Sequence, residues 1–357
     1  MSNVNITPRL SIIVPCRNEE QAIGATLRAL LAQVDDEGVP VSQWAEIIIV
    51  DDESEDFTPS IVKEFAANTP CIQIVRNEPR RGLAGSYNRA IRQARADTVL
   101  VCHADCRMIT PAYAQRILAC FSDPTIGAAT GKPIVPNVRS LRFAEKVYLA
   151  SHLMEVVDEL PIVREINFAE GRCDGFRKQA LIQAGLYDEK TGIAGEDQII
   201  SNRLRELGLR VVQDTSIKYE ISSGSSQSTI CRIIRRHTVL ARGQAYVFLN
   251  SGWNTSKMAE LSPNRGLRKR LRVIQLIGVP TIGLLALVAV LVKSSVIAYI
   301  ALGLLALRIS WMCVIITPYF RMSELPLFVP IGLACDGAYA WGFFCTMLTT
   351  RKGGSNG

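Results

Sequence analysis

Short apolar runs alternate with amphipathic stretches along the first part of the chain. The runs that are typical of buried strands are Leu10–Pro15, Glu46–Val50, Ile72–Val75 and Thr98–Cys102. Apolar positions with helical spacing follow them, at Glu19–Ala32, Phe57–Ala67, Leu83–Ala94 and after Thr110. This alternation predicts an α/β domain whose mainly parallel sheet is covered by helices on both faces.

The pattern is less regular in the next hundred or so residues. The predicted elements are a helix over Leu141–Asp158, a turn at Gly185–Asp188, a helix over Gln198–Leu207, and two short strands at Arg210–Gln213 and Ile217–Tyr219. Gly208 fits the residue that ends a helix. We expect these elements to complete a globular domain over residues 1–224.

The chain then becomes almost continuously apolar from Val273 to Thr350. The stretches near the length that a helix needs to cross a membrane are Val273–Val292, Ser295–Thr317 and Leu325–Leu348. The last of them contains Pro326, Pro330 and Asp336, so a re-entrant or interfacial segment is an alternative there. We predict a membrane anchor of two or three transmembrane helices at residues 273–350.

Basic residues cluster just before the first apolar stretch, at Arg265, Arg268, Lys269, Arg270 and Arg272. The positive-inside rule places such a cluster, and the globular domain with it, in the cytoplasm. Residues 225–272 are predicted to form a basic, amphipathic interfacial segment that is attracted to anionic lipid. Met1–Arg9 lacks an apolar run, so we expect no signal peptide. The expected location is the inner (cytoplasmic) membrane, as a multi-pass protein.

Composition narrows the class of protein further. Hydrophobic residues make up 48% and charged residues 20% of the 357 residues, which excludes intrinsic disorder. The net charge of +7 does not by itself indicate nucleic acid, and no nucleic-acid partner is expected. The ten cysteines follow no disulfide or zinc spacing, so we expect reduced thiols facing the cytosol.

Polar residues collect where the predicted strands end. They are Pro15, Arg17, Asn18, Glu19, Asp51, Asp52, Arg81, Gly82 and Asp105. Ligands of an open α/β sheet bind at the carboxyl ends of its strands. The chain has no G-x-G-x-x-G after the first strand and no Walker lysine motif, which weakens a dinucleotide oxidoreductase or a P-loop NTPase.

Ordered motifs make the comparison with known families specific. They are Ile13-Val14-Pro15-x-x-Asn18-Glu19, Val50-Asp51-Asp52-x-Ser54-x-Asp56-x-Thr58, Arg81-Gly82-x-Ala84-x-x-x-Asn88, Asp105, and Gly195-Glu196-Asp197. In this order they resemble the family 2 glycosyltransferases of the GT-A fold, of the membrane-anchored bacterial and archaeal type. The resemblance covers residues 10–243 and implies transfer of a sugar from a nucleotide diphosphate, with inversion of the anomeric centre.

The resemblance implies a binding site for the nucleotide sugar. Its residues would be Pro15, Arg17, Glu19, Asp51, Asp52, Arg81, Gly82, His103 and Asp105. Asp51 and Asp52 would hydrogen-bond the base and ribose, and capping of the following loop is the structural alternative. Asp105 would hold Mg²⁺ or Mn²⁺ together with the diphosphate. The family usually has Asp-x-Asp here, so His103 removes one carboxylate and is expected to weaken the grip on metal or ribose.

The resemblance also makes Asp197 the general base that takes the acceptor proton, with Glu196 in support. Simple capping of the following helix is the alternative for Asp197. Asp174 and Gly175 match the segment that lines the sugar and acceptor pocket, although a structural turn fits them nearly as well.

Arg232, Arg235 and Arg236 are predicted to share a helix face. They would clamp a diphosphate or an anionic lipid head, and a basic helix lying on the membrane surface is the equal alternative.

The function that the motifs favour is a membrane-attached, inverting, metal-dependent glycosyltransferase. The favoured donor is a UDP-sugar, with a GDP-sugar as the alternative, and the favoured acceptor is a lipid-linked glycan, because anchoring concentrates lipid-borne substrate. A polyprenyl phosphate is the alternative acceptor, and it needs no proton removed. His103 motivates a different class, a catalytically degenerate binding or scaffold subunit. A nucleotidyltransferase is disfavoured because its glycine- and lysine-rich first loop is absent.

Overall fold

The computed structural model describes residues 7–134, 141–151, 162–169, 171–191, 195–221, 229–250, 267–317 and 319–351. These residues divide into two compact units. The first unit contains residues 1–135 and 157–224, and the second contains residues 136–156 and 225–357.

The strands of the first unit form one mixed sheet. They are β1 Leu10–Cys16, β2 Ala45–Asp51, β3 Ile72–Arg76, β4 Thr98–Cys102, β5 Cys106–Met108, β6 Ile126–Ile134, β7 Val163–Glu165, β8 Cys173–Arg177 and β9 Arg210–Ile221. The order across the sheet is β3-β2-β1-β4-β8-β6-β9-β5, and β7 pairs with β9. The first four strands are parallel neighbours, whereas β8 runs antiparallel to both β4 and β6.

The helices of the first unit cover this sheet. They are α1 Ile23–Leu31, α2 Val41–Trp44, α3 Thr58–Ala67, α4 Gly82–Gln93, α5 Tyr113–Cys120, α7 Lys178–Gln183 and α8 Glu196–Glu206. Every residue of β1, β2 and β4 is buried, as expected of strands with helices on both faces. The α/β prediction is therefore confirmed, with an antiparallel part added to the sheet.

The predicted end of this unit differs from the structure. We predicted two short strands at Arg210–Gln213 and Ile217–Tyr219, but β9 is one strand of 12 residues. Its pairing with β6 shifts register, because Thr130 faces Gln213 while Lys132 faces Lys218. The residues of this bulge, Asp214 to Ser216, have the polar composition of a turn, which made one irregular strand resemble two.

The second unit is helical in its described residues. Its helices are α6 Phe143–Ser151, α9 Ile230–Asn250, α10 Leu267–Leu291, α11 Ser295–Ile316 and α12 Leu325–Arg351. α6 falls within the predicted helix Leu141–Asp158, and residues 152–158 lie outside the described residues. Of the predicted basic cluster Arg265–Arg272, only the backbone from Leu267 onward, in α10, belongs to the described residues.

Helix α9 packs closely on α12. Ala241, Ala245 and Phe248 form one apolar cluster with Tyr339 and Phe343. A side chain at Gly342 would overlap with the carbonyl group of Thr238, so the two backbones nearly touch. Small residues at such a contact let two helices approach.

Among the described residues of this unit, charged pairs join α6 and α11 to the region of α12. Lys146 on α6 donates to Glu324, with Nζ 2.9 Å from Oε1, and Glu324 lies in the 3-10 turn Met322–Glu324 before α12. Arg308 on α11 pairs with Asp336 on α12, with Nε 3.1 Å from Oδ2. The exposed fractions of the Arg308 and Asp336 side chains are 8% and 3%, so this pair is buried.

Two described segments are long and apolar enough to cross a membrane, Ser295–Val314 and Met322–Thr349. They correspond to the second and third predicted spans. The third is a continuous helix despite Pro330 within it, and Asp336 has a buried cationic partner. Of the first predicted span, a shorter apolar stretch, Pro280–Leu291, is found within α10.

Candidate functional site

The carboxyl ends of the parallel strands lie level at one edge of the sheet. Cys16, the last residue of β1, pairs with Asp51 at the end of β2, and Asp51 pairs with Arg76 at the end of β3. Pro15 is buried one residue earlier, opposite Val50. β4 ends at this edge too, and β8 begins there because it runs antiparallel to β4.

Asp51 is a buried carboxylate held between two donors. Its Oδ2 accepts a hydrogen bond from Arg76 Nη1 at 2.7 Å, and its Oδ1 accepts one from the backbone N–H of Ser54 at 3.1 Å. The side chain of Arg76 is 42% exposed, so this pair joins a buried acid to the surface of the edge.

Asp52 is engaged by the loop that precedes α4. Its Oδ1 accepts from Asn77 Nδ2 at 2.9 Å and from the backbone N–H of Arg81 at 2.8 Å. Its Oδ2 accepts from the N–H of Gly82 at 2.9 Å, and Arg80 Nε lies 3.5 Å away. Asp52 thus accepts three hydrogen bonds from the protein, two of them from backbone N–H groups of the loop before α4, which is the geometry of the loop-capping alternative. Gly82 has a φ of +73° and the side chain of Arg81 is exposed.

The loops after β1 and β2 are joined side by side. The backbone N–H groups of Asn18, Glu19 and Glu20 donate to the side chains of Ser54, Thr58 and Asp56 at 3.1, 2.7 and 3.1 Å. In return, Asn18 Oδ1 accepts from the N–H of Glu55 at 2.9 Å. Asn18 has a φ of +54°, a conformation that asparagine tolerates better than most residues.

Arg17 stands in this first loop, and its side chain is 34% exposed. Its Nη2 lies 3.8 Å from Glu55 Oε1, a loose surface contact that leaves the cation close to the edge. Loose exposed ion pairs of this kind are weak, so a better anionic partner would displace Glu55.

Glu19 and Asp105 form the acidic part of the edge. Burial raises the pKa of Glu19 to about 7, and the charges of Asp105 and Asp56 act in the same direction. Asp105 follows β4, where its Oδ1 lies 3.9 Å from His103 Nδ1. The side chains of His103 and Asp105 are 25% and 31% exposed, so both are reachable from solvent.

These donors fit a divalent cation only in part. Within the described ranges, no group of three or more His, Cys, Asp and Glu side chains is arranged to hold a metal ion. Asp105 supplies one accessible carboxylate, and the hard cations that prefer oxygen are often held by one or two carboxylates with substrate phosphates. The site thus fits a cation that arrives with its diphosphate.

Asp197 and Glu196 open helix α8 at the same edge. Gly195, with a φ of +95°, precedes them. A Cβ at Gly171 would lie 3.3 Å from the Cβ of Asp197, so Asp197 stands against the turn that leads into β8. Asp197 Oδ1 accepts from the N–H of Gln198 at 2.8 Å, and its position in the first turn favours its charged form.

The turn before β8 links Asp197 to the end of β4. The N–H of His103 donates to the carbonyl oxygen of Arg172 at 2.8 Å, and the hydroxyl of Tyr87 donates to that of Gly171 at 3.1 Å. Asp51, Asp105 and Asp197 therefore lie at one edge of one sheet, within the first unit.

Asp174 and Gly175 are buried within β8. Asp174 is fully buried in β8, and its Oδ2 accepts from the N–H of Gly171 at 2.5 Å. A Cβ at Gly175 would overlap with Ile117 and lie 3.0 Å from Phe121, so this glycine makes room for α5. Their geometry is that of residues that shape the turn and the core beneath it.

The three predicted arginines, Arg232, Arg235 and Arg236, lie on α9 in the second unit. Arg232 and Arg235 are exposed, whereas the guanidinium of Arg236 lies 5.8 Å from the centre of the Tyr148 ring. His237 is buried, with Nδ1 2.9 Å from the carbonyl oxygen of Ile233. Two of the three cations thus remain open to an anionic partner.

Sequence patterns gave no indication of several residues that shape this edge. Asn77 is fully buried and joins Asp52 to Ser86 and Arg89. Arg76 ends β3 directly opposite Asp51, a register that only the structure shows.

Comparisons with known proteins show which proteins the chain resembles. Residues 11–183 match the family model Glycosyl transferase family 2. Poly-beta-1,6-N-acetyl-D-glucosamine synthase of Staphylococcus epidermidis is 29% identical over 257 residues, 71% of this chain and 58% of that protein. The protein of the same name in Staphylococcus aureus strain COL is 29% identical over 219 residues, 61% of this chain and 49% of its own length. The matches thus span only about half of these relatives.

Solved structures share the fold at lower identity. The mannosyltransferase PcManGT of Pyrobaculum calidifontis, solved with GDP-Man and Mn²⁺, has a TM-score of 0.61 and 19% identity, covering 94% of this chain and 88% of its own. GalNAc-T7, solved with UDP, GalNAc and Mn²⁺, has a TM-score of 0.52 and 15% identity, covering 72% and 50%.

Both structures are glycosyltransferases, and their likeness concerns the fold, which is the GT-A fold that the motifs predict. The family match covers the strands that carry Asp51, Asp105 and the turn beside Asp197. Over residues 11–183, the chain is therefore similar to glycosyl transferase family 2.

Proposed function

We propose that the protein is a membrane-attached, inverting glycosyltransferase that uses a UDP-sugar and a membrane-linked acceptor. The observation that supports this most is the common edge of Asp51, Asp105 and Asp197 in one sheet. A nucleotide sugar needs acceptors for ribose and base, a place for the diphosphate, and a base near the acceptor hydroxyl.

The donor end of the site is the pair of joined loops. Asp51, held by Arg76, accepts hydrogen bonds from the base or ribose, because a carboxylate is a strong acceptor. Arg17 leaves its loose contact with Glu55 and binds the diphosphate. Asp52 takes no part in contacts with the donor in this proposal, since it orders Arg81 and Gly82 instead.

Asp105 is the residue that would hold Mg²⁺ or Mn²⁺ with the diphosphate, with His103 beside it. Such a cation neutralises the charge that builds on the departing nucleotide. Glu19 is the neighbouring acid, and a cation bound there would favour its ionised form over the protonated form that burial and the charges of Asp105 and Asp56 favour.

Asp197 is the base of the proposed transfer. Inverting transfer is a single displacement, so one group takes the acceptor proton while the new bond forms. Asp197 is partly exposed, lies against the turn at Gly171 and faces the same edge as Asp105, whereas Glu196 is buried beside it.

The acceptor is proposed to be carried by the membrane. The segments Ser295–Val314 and Met322–Thr349 would hold the enzyme at the bilayer, with its first unit in the cytoplasm. The relatives named as synthases of poly-β-1,6-N-acetylglucosamine favour a growing glycan as acceptor. A polyprenyl phosphate is the second candidate, because Arg232 and Arg235 are exposed cations on α9 that suit an anionic lipid head.

A transfer assay tests the proposal. The full chain in detergent with bacterial membranes receives radiolabelled UDP-N-acetylglucosamine or GDP-mannose, with Mg²⁺, Mn²⁺ or chelator. Asp197→Asn should lower turnover about 10²–10⁴-fold while nucleotide binding persists. The exposed Asp36→Asn serves as the matched control. Full turnover by Asp197→Asn would remove Asp197 from the base role, and a retained anomeric configuration in the product would exclude inversion.

A further inference from the structure

Two buried cysteines lie directly opposite each other at the edge of the sheet that carries the acidic residues. Cys102 is the last residue of β4 and Cys173 is the first residue of β8, and the two are paired across these antiparallel strands. Both residues are fully buried, and their Sγ atoms are 3.7 Å apart. The two sulfur atoms are therefore in contact.

The backbone at this pair is suited to a disulfide bond. Residues directly opposite each other in antiparallel strands have Cα atoms about 4.5–5.5 Å apart, and the Cα atoms of disulfides are usually about 4.4–6.8 Å apart. The sulfur atoms would approach from 3.7 Å to the bond length of about 2.05 Å. Because the pair ends the ladder between β4 and β8, the ends of these two strands would take up the movement.

The same strand ends carry residues of the candidate site. His103 follows Cys102, and its backbone N–H donates at 2.8 Å to the carbonyl oxygen of Arg172, the residue before Cys173. Asp105 lies two residues beyond His103, in the turn that leads into β5. A bond between the two sulfur atoms would therefore shift the backbone that positions His103 and Asp105.

We propose that Cys102 and Cys173 form a modification site, at which hydrogen peroxide produces a reversible disulfide that lowers sugar transfer. One thiol attacks the O–O bond and becomes a sulfenic acid as water leaves, and the other thiol then displaces a second water from that sulfur. The two thiols lose two electrons and two protons in total, and the peroxide is reduced to two waters. The effect on transfer rests on the proposed function, whereas the disulfide itself does not.

The surroundings of the pair predict that it is reduced until an oxidant is present. Burial, together with hydrogen bonds to the thiols of Cys102 and Cys106, raises the pKa of Cys173 well above its usual value. Little of the reactive thiolate is then present at neutral pH. Disulfides in cytosolic proteins are usually transient, because glutathione and thioredoxin reduce them. We therefore expect slow oxidation by peroxide and recovery with a thiol reductant.

Disulfide mapping of the full chain in detergent tests the modification site. The protein is oxidised with hydrogen peroxide, the remaining thiols are blocked with N-ethylmaleimide, and tryptic peptides are analysed by mass spectrometry. We expect residues 96–107 to be linked to residues 173–177, and dithiothreitol to reverse the link. Cys106 lies in the same peptide as Cys102, so Cys106→Ala should keep the link and Cys102→Ala should lose it.

Two results of the mapping would overturn the proposal. The first is the absence of this link under conditions that oxidise the exposed Cys231. The second is a link that Cys106→Ala abolishes, because Cys106 would then be the partner of Cys173. Neither result depends on whether the protein transfers a sugar.

Transfer is measured on the same samples with radiolabelled UDP-N-acetylglucosamine and GDP-mannose. The oxidised wild type should lose transfer roughly 10–100-fold, because small displacements at a reacting centre cost this much, and dithiothreitol should restore it. Cys102→Ala should resist peroxide, whereas Cys231→Ala, the matched control that removes an exposed thiol, should respond like the wild type. Full transfer by the linked protein would overturn the proposal. If the reduced wild type transfers no sugar, the proposed function fails while the mapping still judges the disulfide.

Discussion

The carboxylate of Asp52 accepts a 2.9 Å hydrogen bond from the N–H of Gly82, the first residue of α4. The acid that caps this helix thus comes from the end of β2. The residue at the helix's own N-cap position, Arg81, makes no capping hydrogen bond with its side chain. A distant cap of this kind joins the strand, the loop through Asn77 and the helix into one rigid part of the edge.

Asp52→Ala should lower stability rather than only donor binding. It removes the cap and leaves Asn77 and two backbone N–H groups without their acceptor. The cost is on the order of 2 kcal/mol. Thermal unfolding of the full chain measures it, with the exposed Glu55→Ala as control. An unchanged midpoint would show that water replaces the carboxylate.

Asp51→Asn should mainly weaken donor binding rather than lower stability. The amide keeps the shape of the side chain but loses the charge that holds Arg76 and would bind the base or ribose. We expect UDP or GDP to bind roughly 10-fold more weakly, since hydrogen bonds to charged groups are the stronger ones. Nucleotide-induced thermal shifts report this, and Asp36→Asn provides the comparison. Wild-type shifts for Asp51→Asn would argue against a donor contact.

Gly175→Ala should destabilise the first unit through overpacking. The new methyl group would overlap with Ile117 and approach Phe121 to 3.0 Å. Forced methyl groups in a packed core cost about 1–3 kcal/mol. The matched control is Gly24→Ala in α1, where the nearest atom is 3.6 Å away and alanine favours the helix. Equal midpoints for the two variants would contradict the close packing.

Acid should weaken the sheet through Glu46. Burial alone would raise the pKa of Glu46, but hydrogen bonds from Ser11 at 2.6 Å and from the N–H and Nε of Arg95 at 2.7 and 2.8 Å lower it. A depressed pKa contributes stability that is complete above about pH 5 and is lost as the pH falls through the folded-state pKa. Glu46→Gln should flatten the dependence of the thermal midpoint on acid pH, and the exposed Glu64→Gln should not.

The buried pair Arg308–Asp336 should behave as a unit. Removing either partner leaves an uncompensated charge between α11 and α12, at a cost of about 3–5 kcal/mol. Arg308→Leu and Asp336→Leu should each lower the midpoint of thermal unfolding measured in detergent. The double Leu variant should recover most of the loss. Additive losses in the double variant would mean that the pair contributes by packing alone.

Sequence patterns predicted the parallel half of the sheet because its strands are mainly apolar runs. The antiparallel half was missed for a physical reason. β8 contains Asp174 and Gly175, and its partners β4 and β6 are distant in sequence, so neither composition nor a short turn signals it. The α/β topology predicted where the strands end and that aspartates lie at those ends. Contacts such as Asn77 with Asp52 depend on tertiary packing that no local pattern encodes.

The pairing of Lys146 with Glu324 has a consequence for truncated forms of the protein. Helix α6 lies between two stretches of the first unit in the sequence, yet it packs with α9 and α12 of the second unit. A fragment that stops at Gly224 would carry α6 without α9 and α12, so Lys146 would lose its counter-charge Glu324 and Tyr148 would lose its contact with Arg236. Such a fragment should aggregate unless α6 is also replaced by a short polar linker.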